Sequence, residues 1–180
     1  DVPRQIIFEA IGRYRRMKNR GVVAEYMRGR FDRFSNFARI GEGSLGGKAR
    51  GIAFIDHILS RHDEFSQFDN AEVHIPKTLV LCTDIFDRFM EDNNLYPVAL
   101  SDMADEDILA AFLKGQLPDT LRDDVSVFCK VVDNPIAVRS SSLLEDAHYQ
   151  PYAGVYATYM VPGGDKQLDR PADAIKGVYA

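Results

Sequence analysis

The chain of 180 residues has no tryptophan and only two cysteines, Cys82 and Cys129. So few cysteines exclude a disulfide-stapled scaffold and suit a reduced, cytoplasmic setting. Both lie in apolar runs and read as buried structural thiols. No apolar stretch nears the roughly 20 residues that a membrane-spanning helix requires, so no membrane partner is expected. The N-terminus, Asp1-Val-Pro3, runs into an arginine-rich amphipathic segment and lacks the continuous apolar core of a signal peptide. The four histidines, His57, His62, His74 and His148, are scattered, and none stands at metal-ligand spacing from a cysteine or carboxylate. There is no internal repeat and no low-complexity segment. A Gly-x-Ser-x-Gly elbow is also missing, and Ser140–Ser142 has no evident base partner, which argues against a hydrolase triad.

What is present is a globular composition, 46% hydrophobic and 27% charged. Charge is unevenly placed. Residues 1–50 hold 12 Lys and Arg against 5 Asp and Glu, a net of +7, while residues 51–180 hold 10 against 22, a net of −12. This reads as a basic helix packed on an acidic body, of its own chain or of a neighbouring domain. Nucleic acid is not the expected partner, because the basic run lacks interleaved aromatics for base stacking and no DNA-binding motif accompanies it.

The apolar positions Ile6, Ile7, Ile11, Tyr14, Met17, Val22, Val23, Tyr26 and Met27 predict one long amphipathic helix over about 3–31, or two broken near Gly21. Residues 1–33 are read as a basic amphipathic helix. Further helices are expected at about 47–61, at 84–92 with Thr83 as N-cap, at 105–113 and at 118–131. The run 73–82 reads as a bent strand or a strand pair, 95–101 as a connector, and 136–138 and 155–161 as strands. Gly163-Gly164-Asp165 is a turn, and a helical pattern opens at Asp173 and runs to Ala180. Strands interspersed with amphipathic helices make residues 34–180 an α/β (α+β) domain. Both ends read as cut from a longer polypeptide.

Two stretches carry chemistry. Gly41-Glu-Gly-Ser-Leu-Gly-Gly-Lys48-Ala-Arg50 is a glycine-rich loop opening a helix, a place where backbone amides and the helix dipole suit an anion. It is not a Walker A loop: Glu42 stands where glycine is needed, and Ala49 after Lys48 offers no hydroxyl for magnesium. A flexible helix entry is the alternative. The second stretch, Pro135-Ile-Ala-Val-Arg139-Ser-Ser-Ser142, is a short strand ending in one cation and three small hydroxyls. Arginine supplies a planar fork of donors suited to phosphate oxygens. Glu145 and Asp146 follow; they hold magnesium, orient the preceding loop or are simply solvated. Gly154 enters the next strand as a bulge or as a flap close to a ligand.

Taken in order, Gly46-Gly-Lys48, then Ile75-Pro-Lys-Thr-Leu-Val-Leu-Cys-Thr83, then Ile136-Ala-Val-Arg-Ser-Ser-Ser-Leu-Leu-Glu-Asp146 through Tyr152-Ala-Gly154, resemble the N-terminal nucleotide-binding domain of the phosphoenolpyruvate synthase and pyruvate phosphate dikinase family. The resemblance spans about residues 36–180, and the helix of residues 1–33, which falls outside it, is read as a linker. It implies an ATP-grasp-like lobe with a mixed sheet flanked by helices, whose second lobe lies outside this chain. It implies ATP and Mg2+ as ligands. It also implies delivery of the β-phosphate to a histidine on a separate domain of the same polypeptide, and pyruvate as the acceptor through further domains. Carried over by motif, Lys48 and Arg139 are the phosphate contacts, and Gly154 and Thr158 belong to the flap near the nucleotide. The family's catalytic residues are expected downstream of Ala180. The chain departs from the common pattern at Ser142-Leu-Leu and at Ala147-His-Tyr-Gln-Pro151, which bears on the acceptor. A nucleotide-sensing module without catalysis, or a dikinase with another acceptor, is the alternative reading, and a homo-oligomer is left open.

Overall fold

The computed structural model describes residues 5–7, 10–11, 24–26, 36–62, 64, 70–71, 73–145, 154–163 and 169–180. Strand β2 (Phe37–Ile40) lies between β1 (Ala24–Glu25) and β3 (Thr78–Leu81), and all three are parallel. Phe37 pairs with Thr78 and Ile40 with Leu81. A parallel strand is covered on both faces, and β2 has that character. Phe37 is buried with Ala49, Ile75 and Val80 beside helix α1 (Gly46–Arg61). Its neighbour Ala38 is buried on the other face with Tyr26, Phe128 and Val132. Tyr26 fastens the β1 end by donating its hydroxyl to the Asp124 carbonyl at 3.0 Å.

Four helical segments follow β3. Helix α2 (Thr83–Asp92), the single turn α3 (Tyr96–Ala99), α4 (Asp105–Lys114) and α5 (Asp119–Val131) wrap a core of Phe89, Met90, Leu95, Phe112, Leu117, Leu121 and Val125. Strand β4 (Ile136–Arg139) then pairs antiparallel with β5 (Thr158–Val161), and α6 (Asp169–Tyr179) packs on that ribbon. Ile175 of α6 enters the same core, where the Tyr179 ring meets Phe86 edge-on at 5.2 Å and Phe89 at 5.4 Å. Burial pushes the Tyr179 phenol up, and the nearby Asp84 charge pushes the same way.

The class is α/β, as expected, with parallel and antiparallel pairings held in two small sheets among the described residues. Helices α1, α2, α4 and α5 fall within a residue or so of the predicted bounds. Several details differ, among them the start of β5, which is Thr158 rather than residue 155. Strand β2 was not anticipated, because burial of both Phe37 and Ala38 erases the period-two alternation that marks a half-exposed strand. The run 73–82 contributes one strand, Thr78–Leu81, since Pro76 has no N–H for a ladder. The connector 95–101 contains α3, and α6 begins four residues before Asp173. Within the predicted N-terminal helix, residues 5–7 and 10–11 are helical but Ala24–Glu25 is a strand. The rest of that segment, and so the 1–33 boundary, lies outside the described residues. No helix among the described residues is long and apolar enough to cross a membrane.

Candidate functional site

The glycine loop leaves β2 at Gly41 and meets the start of α2. The Asp84 carboxylate accepts the N–H of Glu42 at 3.0 Å and of Gly43 at 2.9 Å. Thr83 Oγ1 accepts the Ser44 N–H at 3.0 Å, and the Ser44 carbonyl accepts the Thr83 N–H at 3.1 Å. The expected N-cap role of Thr83 is therefore corrected: its hydroxyl serves the glycine loop and makes no capping bond in its own helix. The expected anion cradle is revised as well, because the amides of residues 42–44 are already satisfied within the chain. Burial alone pushes the Asp84 carboxyl up, but the N–H groups of Glu42, Gly43, Asp84 and Ile85 outweigh it and hold the group below the usual carboxylate range. A carboxyl depressed in the folded state stabilises above its unfolded value of about 3.9, and that contribution is lost as pH falls through the folded value. Asp84→Asn is expected to cost about 1 kcal/mol at neutral pH, a modest figure because the carboxylate is exposed. In urea titrations the gap to wild type narrows below about pH 4. A gap independent of pH would remove Asp84 as the loop's anchor.

Arg139-Ser-Ser-Ser142 meets the same loop from the other side. The Ser141 carbonyl accepts the Gly47 N–H at 2.8 Å. Its hydroxyl accepts the Ala49 N–H at 3.0 Å and donates to the Leu45 carbonyl at 2.8 Å. Ser141 thus caps helix α1 from more than 90 residues away, satisfying first-turn amides that have no intrahelical partner. Gly46 permits this approach. Its φ is +78°, and a Cβ there would lie 1.7 Å from the Ser141 carbonyl oxygen. The flanking serines are also employed. Ser140 Oγ accepts the Ser142 N–H at 3.0 Å, and Ser142 Oγ accepts the Leu144 N–H at 3.1 Å and the Tyr156 hydroxyl at 3.3 Å. Of the three hydroxyls read from sequence as ligand donors, those of Ser141 and Ser142 staple separate segments, and those of Ser140 and Ser142 also make the short-range bonds serine favours in turns.

The cations follow from this docking. Lys48, in the first turn of α1 and largely shielded, forms an ion pair with Glu145. Of the roles left open for Glu145, orientation of the loop is the one this contact supports. Asp146, His148 and Tyr152 lie outside the described residues. Arg139 stands exposed at the end of β4, directly across the ladder from Thr158. Opposed residues in an antiparallel pair share a face, so these two predicted site residues are neighbours. Gly154, at φ +82° with open space where a Cβ would be, precedes Tyr156 by two residues. Through Tyr156 and Ser142 its segment is tied to the same run. Ser141, Glu145 and Tyr156 thus tie helix α1, which bears Lys48, and the Gly154 segment to the run 139–145, while Thr158 faces Arg139. The linking roles of Ser141 and Tyr156 are not legible in the sequence, whereas loop orientation is one of the roles it leaves open for Glu145. Long-range partners of this kind leave no local periodicity to detect. Burial pushes the Cys82 thiol up, against the pull of its Arg39 hydrogen bond, in keeping with a structural role. Among the described residues no group of three or more His, Cys, Asp or Glu is placed to hold a metal ion.

Residues 42–180, from the glycine loop to the last residue, match the family described as pyruvate phosphate dikinase, AMP/ATP-binding domain. The chain belongs to this family of nucleotide-binding domains. It is also similar to the uncharacterized phosphotransferase YvkC of Bacillus subtilis (strain 168), at 34% identity over 89 residues, which is 48% of this chain and 10% of that protein. The chain therefore spans about a tenth of that relative's length. No solved structure matches.

Proposed function

We propose that the chain binds the polyphosphate of ATP between Lys48 and Arg139, with Thr158 and the Gly154 segment approaching from the β5 side. The observation that carries this reading is the docking of α1 on the stretch after Arg139. The Lys48–Glu145 ion pair and the Ser141 bonds bring a cation from the glycine-loop helix to the strand end that bears the second cation. Phosphoryl transfer calls chiefly for positioning and charge neutralisation, and a lysine and an arginine on one triphosphate supply both. Glu145 now occupies Lys48, so an incoming phosphate shares or displaces that carboxylate. Mg2+ would arrive on the nucleotide, held mainly by phosphate oxygens, with Glu145 a carboxylate beside Lys48; it would neutralise phosphate charge.

Within a longer protein the domain serves a phosphotransferase of the phosphoenolpyruvate synthase kind. ATP, pyruvate and water give AMP, phosphoenolpyruvate and phosphate, by way of a phosphohistidine on another domain. In this reading the groups that act on the reacting phosphate are supplied by other parts of that longer protein. AMP release by the longer protein, measured with and without pyruvate, tests this. Pyruvate is expected to stimulate AMP formation, with one phosphate released per AMP. No stimulation sinks the synthase reading and points to another acceptor, whereas no ATP binding at all sinks the nucleotide site itself.

A further inference from the structure

The outward face of the β4–β5 ribbon continues past Arg139 and Thr158. One register step away on the same face stand Ala137 and Met160, which are opposed across the ladder. The inward face is different in kind: Val161 is buried, Ile136, Val138 and Tyr159 are partly so, and α6 covers them. Met160 is 65% exposed, although it is a large apolar side chain at the middle of a strand. Its position has a direction. Ser141 and Glu145, which hold the first turn of α1 and Lys48, follow Arg139, the last residue of β4. Ala137 and Met160 lie on the opposite side of Arg139. A nucleotide with its terminal phosphate at Lys48 and its inner phosphates at Arg139 would carry its nucleoside along the ribbon toward Met160.

We propose that Ala137 and Met160 form the platform on which the purine ring of the nucleotide lies, with the Thr158 hydroxyl beside the ribose. This rests on the nucleotide reading above. Neighbouring strands are about 4.8 Å apart and alternate residues about 6.6 Å apart, so the four side chains offer a small flat patch, polar at one end and apolar at the other. Methionine suits the apolar end, because its polarizable thioether makes favourable contacts with aromatic rings and adapts to their shape. Such a platform grips a ring without reading its edges, so it favours purine nucleotides over bare polyphosphate and does not separate adenine from guanine.

Titration calorimetry on the full-length protein and its Met160→Ala variant tests the platform, with ATP, GTP and inorganic tripolyphosphate as ligands. ATP and GTP affinities are expected to fall about three- to tenfold while tripolyphosphate affinity stays unchanged. Met160→Leu, which keeps the apolar volume, is expected to restore most of the loss. Circular dichroism and the melting temperature should match wild type, since the side chain is exposed. If Met160→Ala leaves all three ligands unchanged, or weakens all three equally, the platform is overturned while the phosphate site stands. If wild type binds neither ATP nor tripolyphosphate, both readings fall together.

Discussion

Replacing Gly46 by alanine is expected to unfasten the domain. The new Cβ would sit 1.7 Å from the Ser141 carbonyl oxygen, and the backbone at φ +78° disfavours any side chain. The left-handed conformation alone costs about 1–2 kcal/mol for a residue other than glycine. Relieving the clash means moving Ser141, which forfeits up to three hydrogen bonds, to Gly47, Ala49 and Leu45, of about 1 kcal/mol each. A loss of roughly 3 kcal/mol or more corresponds to a fall in melting temperature of roughly 6–12 °C for a domain of this size. Because the same contacts bring Lys48 to the Arg139 strand end, ATP affinity should fall with stability. Gly51→Ala is the control. It lies within α1, and nothing stands within 4 Å of the Cβ it would add. There the exchange should be neutral or stabilising by about 0.5–1 kcal/mol. Equal melting temperatures for the two variants would show that the Gly46–Ser141 approach is not a constraint.

Arg139→Ala is expected to weaken ATP binding by about ten- to a hundredfold, the worth of losing one charge-assisted, two-pronged contact to phosphate of about 1.5–3 kcal/mol. The side chain is exposed, and among the described residues no carboxylate is paired with it, so the fold should be untouched. Arg139→Lys keeps the charge but not the planar fork, and should recover only part of the affinity. In the longer protein, AMP formation should fall with binding. Unchanged ATP affinity in Arg139→Ala, measured by calorimetry at fixed ionic strength, would move the phosphate site elsewhere.

The two variants separate what was legible in the sequence from what was not. Helices α1, α2, α4 and α5 were readable because each buries one stripe at helical spacing, a signal contained within its own residues. Strand β4 was readable because Ile136-Ala-Val138 is bounded by a proline-containing turn before it and a serine run after it. Strand β2 was not, since helices cover both its faces. At the candidate site the residue types were visible: Lys48 at a glycine-rich helix start, Arg139 at a strand end, and Gly154 and Thr158 beyond it. Their employment was not. The amides of residues 42–44, which looked open to a ligand, are bound to Asp84 and Thr83, and the hydroxyls of Ser140, Ser141 and Ser142 are engaged by the Ser142 amide, the start of α1 and Tyr156 in turn.

By itself the sequence determined the inventory: amphipathic helices, short strands, and two cationic side chains placed where a helix and a strand begin or end. Local spacing and side-chain chemistry suffice for that, because propensity and periodicity act over a few residues. Only the tertiary structure decided that Ser141 caps a helix 92 residues earlier, that Glu145 holds Lys48, and that Arg139 faces Thr158 across a ladder. Those pairings depend on how the chain closes on itself. A buried amide or carbonyl takes whichever partner the closed chain brings within reach, and no nearby residue records which one that is.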